Sequence, residues 1–317
     1  MKKLISLVLA LMLCLSCVSA LAAEAWTVTC PWAPSGVAAM VNQKAASLST
    51  TYSQDYVLVA NAEKGDTATI NSWLTKYTEA DPQMCFIGEG MFGITAILDP
   101  ERMNFTYDDF EYVENLYSSI FVASARKELG ITSIDALKAY LEEGNQIMVG
   151  TNGATGSEAF LAAALIGAMG YGDQFYLIPY ESAAEAAQAV ARGEVDIAVS
   201  HQSQILETWQ QGGVDVFAAF DGEPIAQGPF KGVEGVGQYG YPYFRNRCFI
   251  FAKAGADEQK IADLKALYAQ ILTDEEMVDW LNNTMLLEAD MMTEEEVIAH
   301  IDNVKNIVEE YYDLVAE

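Results

Sequence analysis

The chain has little positive charge, almost no histidine and no clustered cysteine, and each scarcity removes a class of function. Only 17 lysines and arginines stand against 45 aspartates and glutamates, a formal charge of −28 over 317 residues. A nucleic acid, which is held through cationic contacts to phosphate, is therefore excluded as a partner. His201 and His300 are the only histidines, which leaves almost no material for a Ser-His-Asp triad or a histidine metal centre. Of the five cysteines, Cys14 and Cys17 fall in an N-terminal apolar run, while Cys30, Cys85 and Cys248 lie far apart in strand-like stretches without C-x-x-C spacing. They read as buried core thiols rather than a disulfide framework or zinc site, and no metal or cofactor is expected.

Long apolar runs are confined to the start. In "MKKLISLVLALMLCLSCVSALAAEAW", Lys2 and Lys3 precede an apolar stretch from Leu4 to Val18, followed by small residues at Ala20 and Ala22. This is the pattern of a secretory signal peptide over residues 1–22, too short for a bilayer span, and it implies an exported, periplasmic or extracellular protein. Leu15-Ser16-Cys17 fits part of a lipobox, so Cys17 is the candidate for a lipid anchor. Loss of the two lysines takes the formal charge from −28 to −30. No later run reaches about eighteen apolar residues.

What remains is an alternation of strand and helix. "TVTC", "YVLVA", "MCFI", "FVASA", "QIMVG", "FYLI", "VDIAVS" and "RCFIFAKA" read as strands, separated by helical stretches with punctuation at Ser182-x-x-Glu185, Thr273-x-x-Glu276 and Thr293-x-x-Glu296. Such alternation predicts an α/β chain with parallel sheets and ligand loops at the strand ends. The length favours two lobes. The expected division is lobe one at residues 23–121 plus 246–317 and lobe two at 122–245, with Gly212 to Gly240 irregular and glycine-rich.

Three loops follow a strand and precede a helix: "PWAPSGVA", "IGEGM" and "TNGATGSE". A helix N-terminus offers up to four unpaired N–H groups and about half a positive charge, so such a loop can hold an anion without a cationic side chain. The last loop lacks the Lys-Ser/Thr of a P-loop, and its Gly150, Gly153 and Gly156 do not keep G-x-G-x-x-G spacing, which argues against a nucleotide. For any single loop, tight turning and close packing explain the glycines equally well.

The ordered set "TVTCPWAPSG", "GTNGATGSEAFLAAAL", "IPYESAAEAAQAVARGEVDIAVS" and "VDVFAAFDGEP" resembles the solute-binding proteins of tripartite tricarboxylate transporters, the Bug receptor family. The resemblance implies a two-lobed, type II periplasmic-binding-protein fold with a ligand cleft between the lobes, capture of a small carboxylate or amino-acid-like solute, and delivery to membrane permease subunits. It implies a ligand between Pro34, Ser35 and Gly36 on one side and Thr151, Gly153, Thr155, Gly156 and Ser157 on the other. Glu89, Tyr180 and His201 join them as candidates at the cleft. The chain departs from the family at Ser35, where a second glycine is usual, at Ala39, where an aspartate is usual, and at Glu181 within Ile178-Pro179-Tyr180-Glu181-Ser182.

Glu89, Glu158 and Glu181 place negative charge near the expected cleft, so one carboxylate with an amine or aromatic group fits better than a tricarboxylate. Trp32 with Tyr239, Tyr241 and Tyr243 forms a candidate apolar wall, and Arg245 and Arg247 are candidate anion contacts. No enzyme is expected. The rival readings are a secreted hydrolase with Ser157 as nucleophile, for which only His201 is available as base and no G-x-S-x-G elbow is present, and a receptor domain that reports to a sensor.

Overall fold

The computed structural model describes residues 23–153 and 156–312; the expected signal peptide, Cys14, Cys17 and Thr155 lie outside the described residues. The first half of the chain runs β1 (Glu24–Cys30), α1 (Val37–Tyr52), β2 (Tyr56–Ala62), α2 (Thr67–Lys76), β3 (Gln83–Gly88), β4 (Phe110–Ser119) and β5 (Phe121–Arg126). It continues with α3 (Ile134–Glu142), β6 (Ile147–Asn152), α4 (Ser157–Ala168), β7 (Phe175–Tyr180), α5 (Ala183–Ala191), β8 (Ile197–His201), α6 (Gln202–Gln210) and β9 (Val214–Ala219). The last part contains β10 (Asn246–Lys253), α7 (Glu258–Leu272), α8 (Glu275–Asp279) and α9 (Glu294–Glu310).

These strands build two five-stranded sheets, ordered β2-β1-β3-β10-β4 and β7-β6-β8-β5-β9. The chain passes from the first sheet to the second through Ile120 alone, between β4 and β5, and returns through residues 220–245 to β10. Both sheets are mixed rather than wholly parallel. β1, β2 and β3 run parallel, but β10 lies antiparallel between β3 and β4. β5 is likewise antiparallel to β8 and β9, while β6 is parallel to β7 and β8. Strands that cross between lobes enter at the opposite end from the βα units, which reverses their direction.

Both faces of each sheet are covered, and the pleat sorts the residues between them. On β3, Met84 and Phe86 join the cluster under α1 and α7, whereas Cys85 and Ile87 join the aromatic cluster of Trp73, Phe92, Phe110 and Phe251. On β8, Ile197 and Val199 face α4 while Ala198 faces α5. α4 is apolar around its whole circumference because it is buried from Ser157 to Gly167. α9 spans the lobes: Val297 and Ile301 pack into the first lobe's aromatic cluster, Val304 and Val308 into the core of the second.

Several sequence expectations shift. β4, "FEYVENLYSS", and β9, inside the region read as irregular, are strands. The stretch after Gly90 is a π-helical turn, Met91–Thr95, closed by Ala96–Leu98, rather than a regular helix. The cap expected at Thr273 belongs to Asp274, whose carboxylate accepts from the backbone N–H of Glu276 and Met277, whereas Ser182 and Thr293 cap as expected. Cys30, Cys85 and Cys248 are free and buried in strands.

Candidate functional site

The C-terminal ends of the parallel strands in both sheets open on one cavity of about 360 Å³ between the lobes, the place where ligands meet open α/β sheets. β1 delivers Trp32 and Gly36, β2 leads to Lys64 and Asp66, and β3 ends at Glu89 and Gly90. From the second lobe, β6 delivers Asn152 and Gly153, the start of α4 gives Gly156, Ser157 and Glu158, β7 ends at Tyr180 and Glu181, and β8 ends at His201. Trp32, Tyr117, Phe121 and Tyr180 supply aromatic wall, and Arg102, Asn246 and Cys248 complete the polar and small part of the lining.

Glu89 is fully buried and gathers donors from both lobes. Its carboxylate accepts from Ser157 Oγ at 3.0 Å, from Asn246 Nδ2 at 2.9 and 3.2 Å, and from the backbone N–H of Arg247 at 2.7 Å. Burial pushes its pKa above the usual carboxylate range, and these hydrogen bonds oppose the shift. Gly90 permits the approach, because a Cβ there would sit 2.7 Å from Ser157 Oγ.

Glu158 stands in the first turn of α4 and is 6% exposed. Its pKa is pushed up to about 7 by burial and by the neighbouring charges of Glu89 and Asp66, against its own backbone N–H and the Asn152 side chain, which donate to the carboxylate. The side chain thus folds back onto the N-terminus of its own helix. The N-cap of that helix, Gly156, has no side chain to contribute. α1 is different: its N-cap is Gly36 and no side chain caps it. Val37 and Ala38 of its first turn line the cavity, and no acid stands in the turn itself.

Charge elsewhere in the lining is paired. Lys64 of the first lobe meets Glu181 of the second at 2.7 Å, and Arg102 lies 3.2 Å from Asp66. His201 is buried, its Nδ1 2.8 Å from Ser119 Oγ and its ring 4.6 Å from that of Phe121. Burial drives its pKa down to about 3, so it is neutral.

Of the residues named from sequence, Gly36, Glu89, Gly153, Gly156, Ser157, Tyr180 and His201 come together around this cavity. Pro34 and Ser35 are exposed and stand outside the lining, because the loop turns through Ala33 and presents Gly36 instead. Thr151 is fully buried and supports the loop from behind, its Oγ1 donating to the carbonyl of Gly153 at 2.8 Å. That bond steadies a glycine with φ +73°, a conformation in which a Cβ is strained. Trp32 lines the cavity, but the tyrosines grouped with it do not. Tyr241 and Tyr243 line a separate depression of about 440 Å³ beside His300 and α9, and Tyr239 stacks on Tyr241 at 6.3 Å. Arg245 is held by Asp221 and Glu288, and Arg247 by Asp290. Ser157 and His201 are each engaged by a different partner, Glu89 and Ser119, so they do not form the nucleophile and base of the hydrolase alternative.

Sequence reasoning missed Lys64, Asp66, Arg102, Tyr117 and Asn246. Lys64 and Asp66 carried a signal, since "AEKGD" follows a strand and precedes a helix as the other cleft loops do. The remaining three come from segments that carry no loop signature.

Two α/β lobes joined by a short crossing, with a cavity closed by loops from both, define a two-lobed solute-binding protein. The family described as tripartite tricarboxylate transporter family receptor matches residues 54–307, and the chain belongs to it. Its fold is similar to that of BugD, a periplasmic binding protein, with TM-score 0.78 at 16% identity over 92% of this chain and 98% of that one. It is also similar to Rpa4515 of R. palustris with adipate, TM-score 0.80 at 15% identity over 92% and 96% of the chains. MatC (Rpa3494) of Rhodopseudomonas palustris with bound malate gives TM-score 0.76 at 17% identity over 92% and 98%. No curated protein matches the sequence.

Proposed function

We propose that the protein is an exported receptor that captures a small carboxylate-bearing solute between its lobes and delivers it to the permease subunits of a tripartite tricarboxylate-type membrane transporter. The observation that carries the reading is the inter-lobe cavity, closed by contacts made across the lobes: Lys64 to Glu181 and Ser157 to Glu89. Contacts of this kind form only when the lobes approach, so a ligand that bridges the lobes stabilises the closed form. The adipate and malate held by two relatives support a carboxylate as one end of the ligand. The open N-terminus of α1 is the matching feature of this chain. Capture needs no chemistry, and the separate engagement of Ser157 and His201 supports a receptor without catalysis.

The test is a thermal-shift panel of di- and tricarboxylates and amino acids. A ligand at about a hundred times its Kd adds roughly 2.7 kcal/mol, enough to raise Tm by a few degrees. Ser157→Trp should abolish that rise, because the indole would occupy the cavity and separate the lobes. No rise with any member, or a rise unchanged in the Trp variant, would reject the reading.

A further inference from the structure

Two acidic side chains from opposite lobes meet at one buried junction. Glu89, just past the end of β3 in the first lobe, accepts from Ser157 Oγ of the second lobe at 3.0 Å. Glu158 is the next residue along α4 and is 6% exposed. A Cβ on Gly90 would stand 2.7 Å from Ser157 Oγ, and one on Gly156 would stand 3.4 Å from Glu158 Oε2. The loop after β3 is thus pressed against the start of α4, where the Glu158 carboxyl group lies folded over its own helix end.

The influences on Glu158 divide by lobe. Burial disfavours its carboxylate most, and the first lobe supplies part of that burial, since Trp32, Asp66 and Glu89 form the facing side of the cavity. Its own backbone N–H and the Asn152 side chain, both in the second lobe, favour the carboxylate, whereas Glu89 and Asp66, both in the first, disfavour it. Other ionisable groups of the lining do not undo this division. Lys64 is paired with Glu181 and Arg102 with Asp66. His201 is neutral, and burial keeps the Cys248 thiol and the Tyr117 and Tyr180 hydroxyls protonated. Parting the lobes therefore removes what opposes ionisation of Glu158 and leaves in place what favours it.

We propose that closure of the lobes is coupled to proton uptake: Glu158 takes a proton from solvent as the first lobe closes over it, and returns that proton when the lobes part. The proposal rests on the receptor reading and adds to it a dependence of capture and release on the acidity of the medium. An acidic medium favours the closed form and an alkaline one the open form. The closed form, with Glu158 pushed up to about 7 from the ordinary 4.5, holds an extra proton across that window. Its population falls as pH rises through about 7, and the closed-to-open ratio should change about tenfold or more between pH 5.5 and pH 8.5.

Small-angle X-ray scattering of the full-length mature protein without solute tests this, because the radius of gyration grows as the lobes part. The wild type should be more compact at pH 5.5 than at pH 8.5, with the change centred near pH 7. Glu158→Gln, which cannot ionise, should stay compact at both, with circular dichroism confirming that it is folded. A radius of gyration that does not move with pH in the wild type would overturn the proposal. So would a folded Glu158→Gln variant that keeps the full pH response. The series is repeated at pH 8.5 with each member of the thermal-shift panel. Compaction by a panel member in a protein indifferent to pH would overturn proton coupling and leave the receptor reading standing, whereas indifference to both would overturn the two together.

Discussion

The N-termini of α1 and α4 occupy corresponding positions in the two lobes, each after a parallel strand and each capped by a glycine, yet one is open and the other is filled. At α1 no acid stands in the first turn, and Val37 and Ala38 of that turn line the cavity. At α4, Glu158 turns its own carboxyl group back onto the helix end, where its backbone N–H donates to it, while burial holds its pKa up at about 7. The contrast is one of local charge on a shared frame: the first turn of α4 carries its own carboxyl group, and that of α1 carries none.

The sharpest way to break the contrast is to make the two ends alike. Gly36→Asp places a capping carboxylate on α1. Its Cβ would stand 3.1 Å from the Ala33 carbonyl, which must give by a few tenths of an ångström. We predict a loss of carboxylate-ligand affinity of about a hundredfold or more, or about 2.7 kcal/mol, measured calorimetrically, while the capped helix holds or raises the Tm of the free protein. Retained affinity would remove α1 as the anion site.

Next in size is the pH dependence of the filled end. The Glu158 value of about 7 lies above the ordinary 4.5. Between roughly pH 4.5 and 7 the folded chain therefore holds a proton that the unfolded chain has lost, and stability falls as pH rises through that window. Glu89, Asp66 and Asn152 face this carboxylate. Glu89, its pKa also raised, adds to the fall, whereas His201, lowered from 6.5 to about 3, gains stability over its own window as pH rises. The difference between the wild type and Glu158→Gln isolates Glu158. We predict that this difference moves by about 1 to 3 kcal/mol in favour of the variant between pH 5 and pH 8, read by urea unfolding. A constant difference would show that Glu158 titrates normally.

The smallest effect belongs to the exposed pair that joins the lobes. Lys64→Ala should change ligand affinity less than about fivefold, because pairs this exposed contribute about 0 to 1 kcal/mol, and the change should shrink further at high salt. A tenfold loss that survives high salt would mean that Lys64 contacts the ligand directly.

The lobes' helices and most strands were legible because their punctuation is local. Ser182 and Thr293 cap as read. β4 was not, because Glu111, Glu114 and Asn115 interrupt its apolar pattern. Glu114 is tolerated there only through donors from Tyr112, Asn115 and Met292, a contact 178 residues away in sequence that no window reveals. At the site, glycines marked the loops and the excess of glutamates marked the charge. Which glutamate fills which helix end depends on how side chains fold back within the closed cavity. Asn246, at the start of a strand, announces nothing until Glu89 fixes its orientation.

The crossing at Ile120 joins β4, the outer strand of one sheet, to β5, while Lys64 and Glu181 follow β2 and β7, the outer strands at the other side of each sheet. The molecule is in this respect a door, with α9 laid along the hinge and anchored in both the frame and the leaf. The latch is a single exposed ion pair at the free edge, where the swing is widest. A latch there breaks early in opening and forms last in closing, so its loss speeds release and leaves the rate of capture unchanged. Whatever small affinity is lost at high ionic strength should accordingly appear as a shorter residence time and not as slower capture.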